Sequence, residues 1–246
     1  MSMFSWFRKK EKPLLPFTTD VHSHLIPGID DGSDSVEKSV RLLQHMQQWG
    51  LTRLVATPHV TEDTFENTPA TIDPSFGSLV AGAREAGVGI EFLQPSAEYR
   101  LDNFFLQCLE KGIVRPFPGD YLLVENSFNL EPLNLDEVLF DLSVKGYKPV
   151  LAHPERYVYY HNNLDRYRAI HRSGVLFQCN LMSLGGYYGK EIKKVAEWML
   201  ENDMIDFLGT DLHGMRHVEF IERYMSTSHF ARVSEILKPR LLNDRI

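Results

Sequence analysis

The chain has only two cysteines, Cys108 and Cys179, among its 246 residues. Two thiols cannot build a disulfide framework, so a stapled secreted fold is excluded and a reducing, cytoplasmic setting is expected. Positive charge is also short. Against 26 Lys and Arg stand 33 Asp and Glu, a net charge of −7. Residues 1–17 carry Arg8, Lys9, Lys10 and Lys12 against Glu11 alone, a balance of +3, so the remainder holds −10. A body that acidic, without a basic stripe, is a poor match for nucleic acid. No apolar run approaches the ~20 residues of a bilayer span. Phe4, Trp6 and Phe7 precede the basic cluster, the reverse of a secretory signal. Internal repeats and low-complexity tracts are absent.

Several catalytic motifs are missing as well. Six residues separate Cys108 from Arg115, one more than a cysteine-based phosphate loop takes, and no arginine closely follows Cys179. Both cysteines read as buried small hydrophobes. Gly185-Gly186-Tyr187-Tyr188-Gly189-Lys190 lacks the Walker spacing, and no Gly-x-Ser-x-Gly elbow occurs.

What is present is ample core material, 43% hydrophobic, arranged as seven short apolar runs. They lie at 17–21, 53–57, 90–93, 121–124, 150–152, 175–177 and 205–208. Helical patterns are expected at 33–49 (Ser33 as N-cap, Gly50 as terminator), 75–87, 102–111, 135–146, 164–173, 189–202 and 217–237, the last as a pair. Alternating strands and helices imply parallel pairing with right-handed crossovers. Six of the seven runs end in a histidine or carboxylate: His22 and His24, His59, Glu98, Glu125, His153, and Asp211 with His213. The sixth ends in Cys179-Asn180. Contributions from nearly every strand end suit the C-terminal mouth of a (β/α) barrel better than the single switch point of an open sheet. The expected fold is α/β, a seven-stranded (β/α) barrel.

His22-Ser23-His24 can form a two-toothed metal arm, because side chains two apart on a strand share a side. Five histidines and three carboxylates gathered at one end of a barrel are a metal cluster by residue type. Imidazole and carboxylate without thiolate suit Mn, Fe or Zn in a catalytic role. Eight candidate ligands are twice what one tetrahedral ion takes, so two or three ions are expected. His45, His161, His171 and His229 read as surface or packing residues, while His217 stands close enough to His213 to support the site.

From Asp20 to the region of His217 the chain resembles the polymerase-and-histidinol-phosphatase (PHP) superfamily. Within it, the resemblance is to the bacterial manganese-dependent protein-tyrosine phosphatases of capsule and exopolysaccharide operons. The matching segments are Asp20-Val21-His22-Ser23-His24, Pro27-Gly28-Ile29-Asp30-Asp31-Gly32, Ala56-Thr57-Pro58-His59, Ser96-Ala97-Glu98-Tyr99, Val124-Glu125-Asn126, Ala152-His153-Pro154-Glu155-Arg156-Tyr157 and Asp211-x-His213. The resemblance implies a distorted seven-stranded barrel of PHP type over 18–246. It implies a trinuclear centre held by His22, His24, His59, Glu98, Glu125, His153, Asp211 and His213, with Mn²⁺ first and Fe or Zn as alternatives. Asp31 would match an acidic residue that supplies a proton or orients water. Arg156 would match a phosphate-facing arginine, and Arg216 a second arginine after the last histidine.

The activity implied is hydrolysis of protein phosphotyrosine, with the tail of a bacterial tyrosine kinase as partner. The competing readings are a histidinol-phosphate or other small-molecule phosphatase and a non-catalytic, kinase-binding adaptor; a homo-oligomer stays open. Tyr99, Phe128, Tyr157, Tyr187 and Tyr188 follow proposed site strands and are expected to line the rim. Residues 1–17 form a leader whose aromatic and basic residues offer weak contact to an anionic membrane surface, against a plain disordered or edge-packed leader.

Overall fold

The computed structural model describes residues 13–246. Nine strands occur among them: β1 (Thr19–Asp20), β2 (Arg53–Ala56), β3 (His59–Val60), β4 (Glu91–Pro95), β5 (Glu98–Arg100), β6 (Tyr121–Glu125), β7 (Lys148–Ala152), β8 (Leu176–Asn180) and β9 (Phe207–Gly209). All pair in parallel, in two sheets ordered β1-β2-β4 and β3-β5-β6-β7-β8-β9. The second and third apolar runs form β2 and β4, and each is followed by a further short strand, β3 and β5, so seven becomes nine. Thr57-Pro58 separates β2 from β3, because proline has no N–H for the ladder, and the β2–β4 register shifts between Leu54 and Ala56. Backbone bonds bridge the break: Ser96 N–H donates to Ala56 O and Glu98 N–H to Pro58 O, each at 2.9 Å. At the other seam Ser23 pairs in parallel with Leu212, and His24 N–H donates to Leu212 O at 3.1 Å. The result is an α/β fold whose parallel sheet curls around the strand ends.

The helices are α1 (Val36–Gln48), α2 (Pro69–Glu85), α3 (Asn103–Glu110), α4 (Leu135–Val144), α5 (Leu164–Arg172), α6 (Leu181–Gly185), α7 (Lys190–Glu201), α8 (Met215–Met225) and α9 (Ser228–Leu237). None is long and apolar enough to cross a membrane. α1 begins later than expected because Ser35 is its cap, accepting from Lys38 N–H at 3.4 Å; Ser33 is buried and its hydroxyl donates to Ser35 O. α2 begins earlier, since Thr68 and Thr71 form a reciprocal cap and Pro69 suits the first turn. The short α6 has no periodic signal of its own.

Strand side chains alternate between two surroundings. Leu122, Val124 and Leu151 join the large core under the helices, whereas Leu123, Val150, Ala152, Val21, Val55 and Phe207 form a smaller cluster. Glu125, two residues beyond Leu123, thus leaves the same side of β6 at its C-terminal end. Leu15 and Phe17, counted above with the leader, are buried in the core. Phe4, Trp6, Phe7 and the basic residues through Lys12 lie outside the described residues.

Candidate metal centre

The two histidines after β1 show the character of the site most directly. Their Nε2 atoms lie 3.2 Å apart. His22 Nδ1 is 2.6 Å from Gln178 Oε1, and His24 Nδ1 is 2.9 Å from Asp30 Oδ2. Those oxygens only accept, so each Nδ1 carries a proton; with both rings neutral, the two Nε2 lone pairs would face each other. Such an arrangement is repulsive unless positive charge sits against both.

The carboxylates supply the matching negative charge. Glu98 is fully buried, with Oε1 2.8 Å from His153 Nε2 and Oε2 2.9 Å from His59 Nδ1 and 3.4 Å from His22 Nε2. Asp211 Oδ1 lies 3.3 Å from His24 Nε2, 3.6 Å from His22 Nε2 and 3.4 Å from His213 Nδ1. Asp31 Oδ1 lies 3.4 Å from His213 Nε2 and 3.5 Å from His59 Nε2. Glu125 Oε2 and His153 Nδ1 are buried without a hydrogen-bond partner, and Glu98 Oε2 and His59 Nδ1, though 2.9 Å apart, lack the geometry of a hydrogen bond. Unsatisfied buried polar atoms cost roughly 1–3 kcal/mol each, so such a concentration is that of a cation site.

The ligand atoms fall into four overlapping groups, each within 4.8 Å: His24-Asp31-His59-His213, His22-His24-Asp211, His22-Glu98-His153 and His59-Glu98-Glu125. The donor set fits divalent ions, and every one of the eight expected ligands belongs to at least one group. Asp31, expected as an acid or water-orienting residue, is brought in as a ninth.

Titration behaviour follows this crowding. Burial opposes a charged His22, but Glu98 and Asp211 outweigh it and bring its pKa to about 9. The same contest raises His59 to about 10, mainly through Glu98. Burial, then the charge of Glu98, pushes Glu125 up to about 7. Burial and Arg156 lower His153 to about 4, so it is neutral at physiological pH. A hydrogen bond with His213 holds Asp31 at about 2 although its side chain is 58% exposed. Asp31 therefore stays a carboxylate near neutral pH, suited to holding a cation or orienting water rather than to giving up a proton.

Several supporting residues were not singled out by the sequence reading. Gln178 and Asn180 are a polar pair two apart on buried β8, a period-two signal inside an apolar strand. Gln178 holds His22, and Asn180 Nδ2 donates to Asp211 Oδ2 at 2.6 Å. Asp30, beside Asp31, orients His24 and accepts from His59 N–H at 3.2 Å. Buried Glu155 accepts from Asn180 N–H and the Ser183 hydroxyl, fixing the turn that carries Arg156. Arg100 donates to Glu125 Oε1 at 3.0 and 2.9 Å, leaving Oε2 for a cation. Two glycines are sterically required. A Cβ on Gly32 would run into the His24 backbone, and one on Gly209 would lie 2.7 Å from His22 Cβ and 2.6 Å from Gln178 Nε2. His153 and Asp211 adopt left-handed backbone, φ 33° and 49°, a costly conformation found where side chains are aimed for function.

A cavity of about 260 Å³ opens over the centre, walled by Asp31, His59, Arg156, Asp211 and His213 among others. Phe128, Tyr188 and His217 also line it. Arg216, in the first turn of α8, is exposed and does not. Tyr99 and Tyr157 are buried rather than on the rim: the Tyr99 hydroxyl accepts from Arg115 N–H, and the Tyr157 hydroxyl donates to Ala152 O. Tyr187 packs on Phe220. His45, His161, His171 and His229 bind Glu222, the Glu155 carbonyl, Asp206 and Glu197 respectively, away from the ligands. Both cysteines are buried free thiols.

A parallel β/α scaffold with imidazoles and carboxylates converging at its strand ends defines the class: an α/β protein with a candidate metal centre. Residues 18–236 match the family described as capsular polysaccharide synthesis, CpsB/CapC, and the chain belongs to that family. Tyrosine-protein phosphatase YwqE of Bacillus subtilis (strain 168) is 28% identical over 202 residues, covering 82% of this chain and 79% of that protein. Tyrosine-protein phosphatase CpsB of Streptococcus pneumoniae is 28% identical over 205 residues, covering 80% and 83%. A solved structure from work on YwqE and CpsB, described there as unique metal-dependent tyrosine phosphatases, superposes with a TM-score of 0.77 at 26% identity. It covers 92% of this chain and 95% of that one. Histidinol phosphate phosphatase from Lactococcus lactis, complexed with zinc, L-histidinol and phosphate, shares the fold with a TM-score of 0.52 at 13% identity, over 85% and 92% of the two chains.

Proposed function

We propose that this chain is a metal-dependent phosphomonoesterase that removes phosphate from protein phosphotyrosine, countering a tyrosine kinase in capsule or exopolysaccharide synthesis. The observation that carries the reading is the set of overlapping ligand groups, in which His22, His24, His59 and Glu98 each serve twice. Shared donors suit two or three adjacent ions, and Mn²⁺ matches the imidazole-carboxylate set, as Fe or Zn would. His22, His24, His59, Glu98, Glu125, His153, Asp211 and His213 are the proposed ligands, joined by Asp31. When bound, such ions supply Lewis acidity to phosphoryl oxygens and lower the pKa of water.

The chain's own residues do the rest. Arg156 has guanidinium N–H groups free beyond its bond to Asp211 and can hold phosphoryl oxygens in a planar fork. Against burial, the charges of His22 and His59 and a hydrogen bond from His153 keep Glu98 a full carboxylate shared by two groups. Phenolate, with a pKa near ~10, leaves more readily than an alkoxide, so phosphotyrosine demands less of a proton donor. That suits a site where Asp31 is ionised. Arg216 has no part in this reading. We read the two sheets as the broken staves of a distorted seven-stranded barrel, and place the enzyme in the cytoplasm, acting on the phosphorylated tail of a bacterial tyrosine kinase.

Hydrolysis of phosphotyrosine peptide, phosphoserine peptide and histidinol phosphate, each with Mn²⁺ and after chelation, tests the proposal. We expect kcat/KM for phosphotyrosine to exceed that for phosphoserine by at least ~10-fold, about 1.4 kcal/mol, with activity lost on chelation. Histidinol phosphate as the best of the three would replace it with a small-molecule phosphatase, and no turnover of any ester would favour a kinase-binding adaptor.

A further inference from the structure

Among the described residues the Arg156 side chain makes one hydrogen bond, from Nη1 to Asp211 Oδ2 at 3.1 Å. A guanidinium has five N–H donors on a long, flexible stem, and one bond does not fix its plane. Two aromatic rings do. Its Cζ lies 4.3 Å from the Tyr188 ring centroid and 4.6 Å from that of Phe128, close enough for the negative ring faces to attract the cation.

Each ring also touches a proposed metal ligand. Phe128 stacks on the imidazole of His153, with centroids 5.6 Å apart and planes at 17°, and leans against buried Tyr157. The Tyr188 hydroxyl is 3.4 Å from Asp211 Oδ2, and its ring packs edge-on to Tyr187 at 5.0 Å. Phe128 is therefore placed by a ring that would hold an ion, while Tyr188 is placed mainly by ring packing and only touches Asp211.

We infer that Phe128 and Tyr188 are positioning residues: they form an aromatic seat that holds the Arg156 guanidinium in plane, in register with the metal centre, before phosphate arrives. This rests on the reading of Arg156 as phosphate-facing. It also gives the rings a role different from stacking on a substrate's phenol, because the seat would strengthen binding of inorganic phosphate, which has no ring. The ordering is done in advance, so less freedom is lost on binding.

The test is calorimetric binding of inorganic phosphate to the metal-loaded full chain, with metal content measured for every variant. Phe128→Leu and Tyr188→Leu are each expected to raise the phosphate Kd by about 2- to 30-fold, the range of a cation–π contact, with metal content unchanged. Tyr188→Phe keeps the ring and should stay within ~2-fold, since the 3.4 Å hydroxyl contact is a weak hydrogen bond. In an Arg156→Met background the Phe128→Leu effect should vanish, because there is no guanidinium left to hold. Unchanged phosphate binding in both leucine variants, or an undiminished Phe128→Leu penalty in the Arg156→Met background, would overturn the seat while leaving Arg156 in its role. So would loss of metal from both leucine variants, which would make the rings mere supports of His153 and Asp211. If Arg156→Met alone left phosphate binding unchanged, the phosphate-facing reading would fall, and the seat with it.

Discussion

Replacing Gln178 by leucine separates a residue that aims a ligand from one that merely packs. Gln178 is fully buried, and its Oε1 takes the Nδ1 proton of His22 at 2.6 Å while standing 3.4 Å from the His153 N–H. Leucine is apolar, one atom shorter and branched one position earlier, and accepts nothing. The buried His22 N–H loses its partner, at a cost of about 1–3 kcal/mol. For a chain of this length that lowers the Tm of the metal-free protein by about 2–12 °C, at roughly 2–4 °C per kcal/mol. His22 belongs to two of the ligand groups, so its aim and basicity matter to more than one ion. Removing a partner of a ligating imidazole lowers metal affinity by about 10–100-fold, or about 1.4–2.8 kcal/mol. Calorimetric Mn²⁺ titration of the chelated protein measures this directly, with circular dichroism melts reporting the stability term. A Gln178→Leu protein that binds Mn²⁺ within about 2-fold of wild type would refute the claim that Gln178 aims His22 at a metal.

Gly32→Ala should destabilise the protein by about 1–3 kcal/mol and weaken metal binding, because the new methyl meets the backbone of His24, which cannot move aside as a side-chain tip can; a melt and metal titration indistinguishable from wild type would contradict it. Stability of the metal-free chain should fall as pH rises. His22 and His59 titrate at about 9 and about 10 in the fold, above the ordinary imidazole value of 6.5. Their contribution is complete below about pH 6.5 and lost as pH climbs through about 9 to 10. The metal-loaded chain, with imidazoles kept neutral by ions, should lack that decline, and loading near pH 8 should release protons. Parallel Tm–pH slopes for the two forms, with no proton release, would sink this account.

The chemistry at the strand ends was legible in the chain because it depends on local order. Apolar runs of four or five residues specify strands, side chains alternate along them, and a histidine or carboxylate just past the last apolar residue must emerge at the C-terminal end. Parallel pairing then brings those ends together, which is why His22, His24, His59, Glu98, Glu125, His153, Asp211 and His213 could be gathered before any coordinates. What depended on through-space geometry was not legible. The break at Thr57-Pro58 shows as nine strands only when pairing partners are known. Gln178 and Asp30 became part of the site through hydrogen bonds to imidazoles contributed by other segments. Asp31 changed from a possible proton donor to a carboxylate held at about 2 by His213, a residue far along the chain. Arg216 and His217 are adjacent in sequence, yet the first turn of α8 leaves one exposed and puts the other against the cavity. Residue type and strand position determined which groups meet at the centre. Only the tertiary structure decided how each is aimed and charged, because a lone pair's direction and a pKa are set by neighbours distant in sequence.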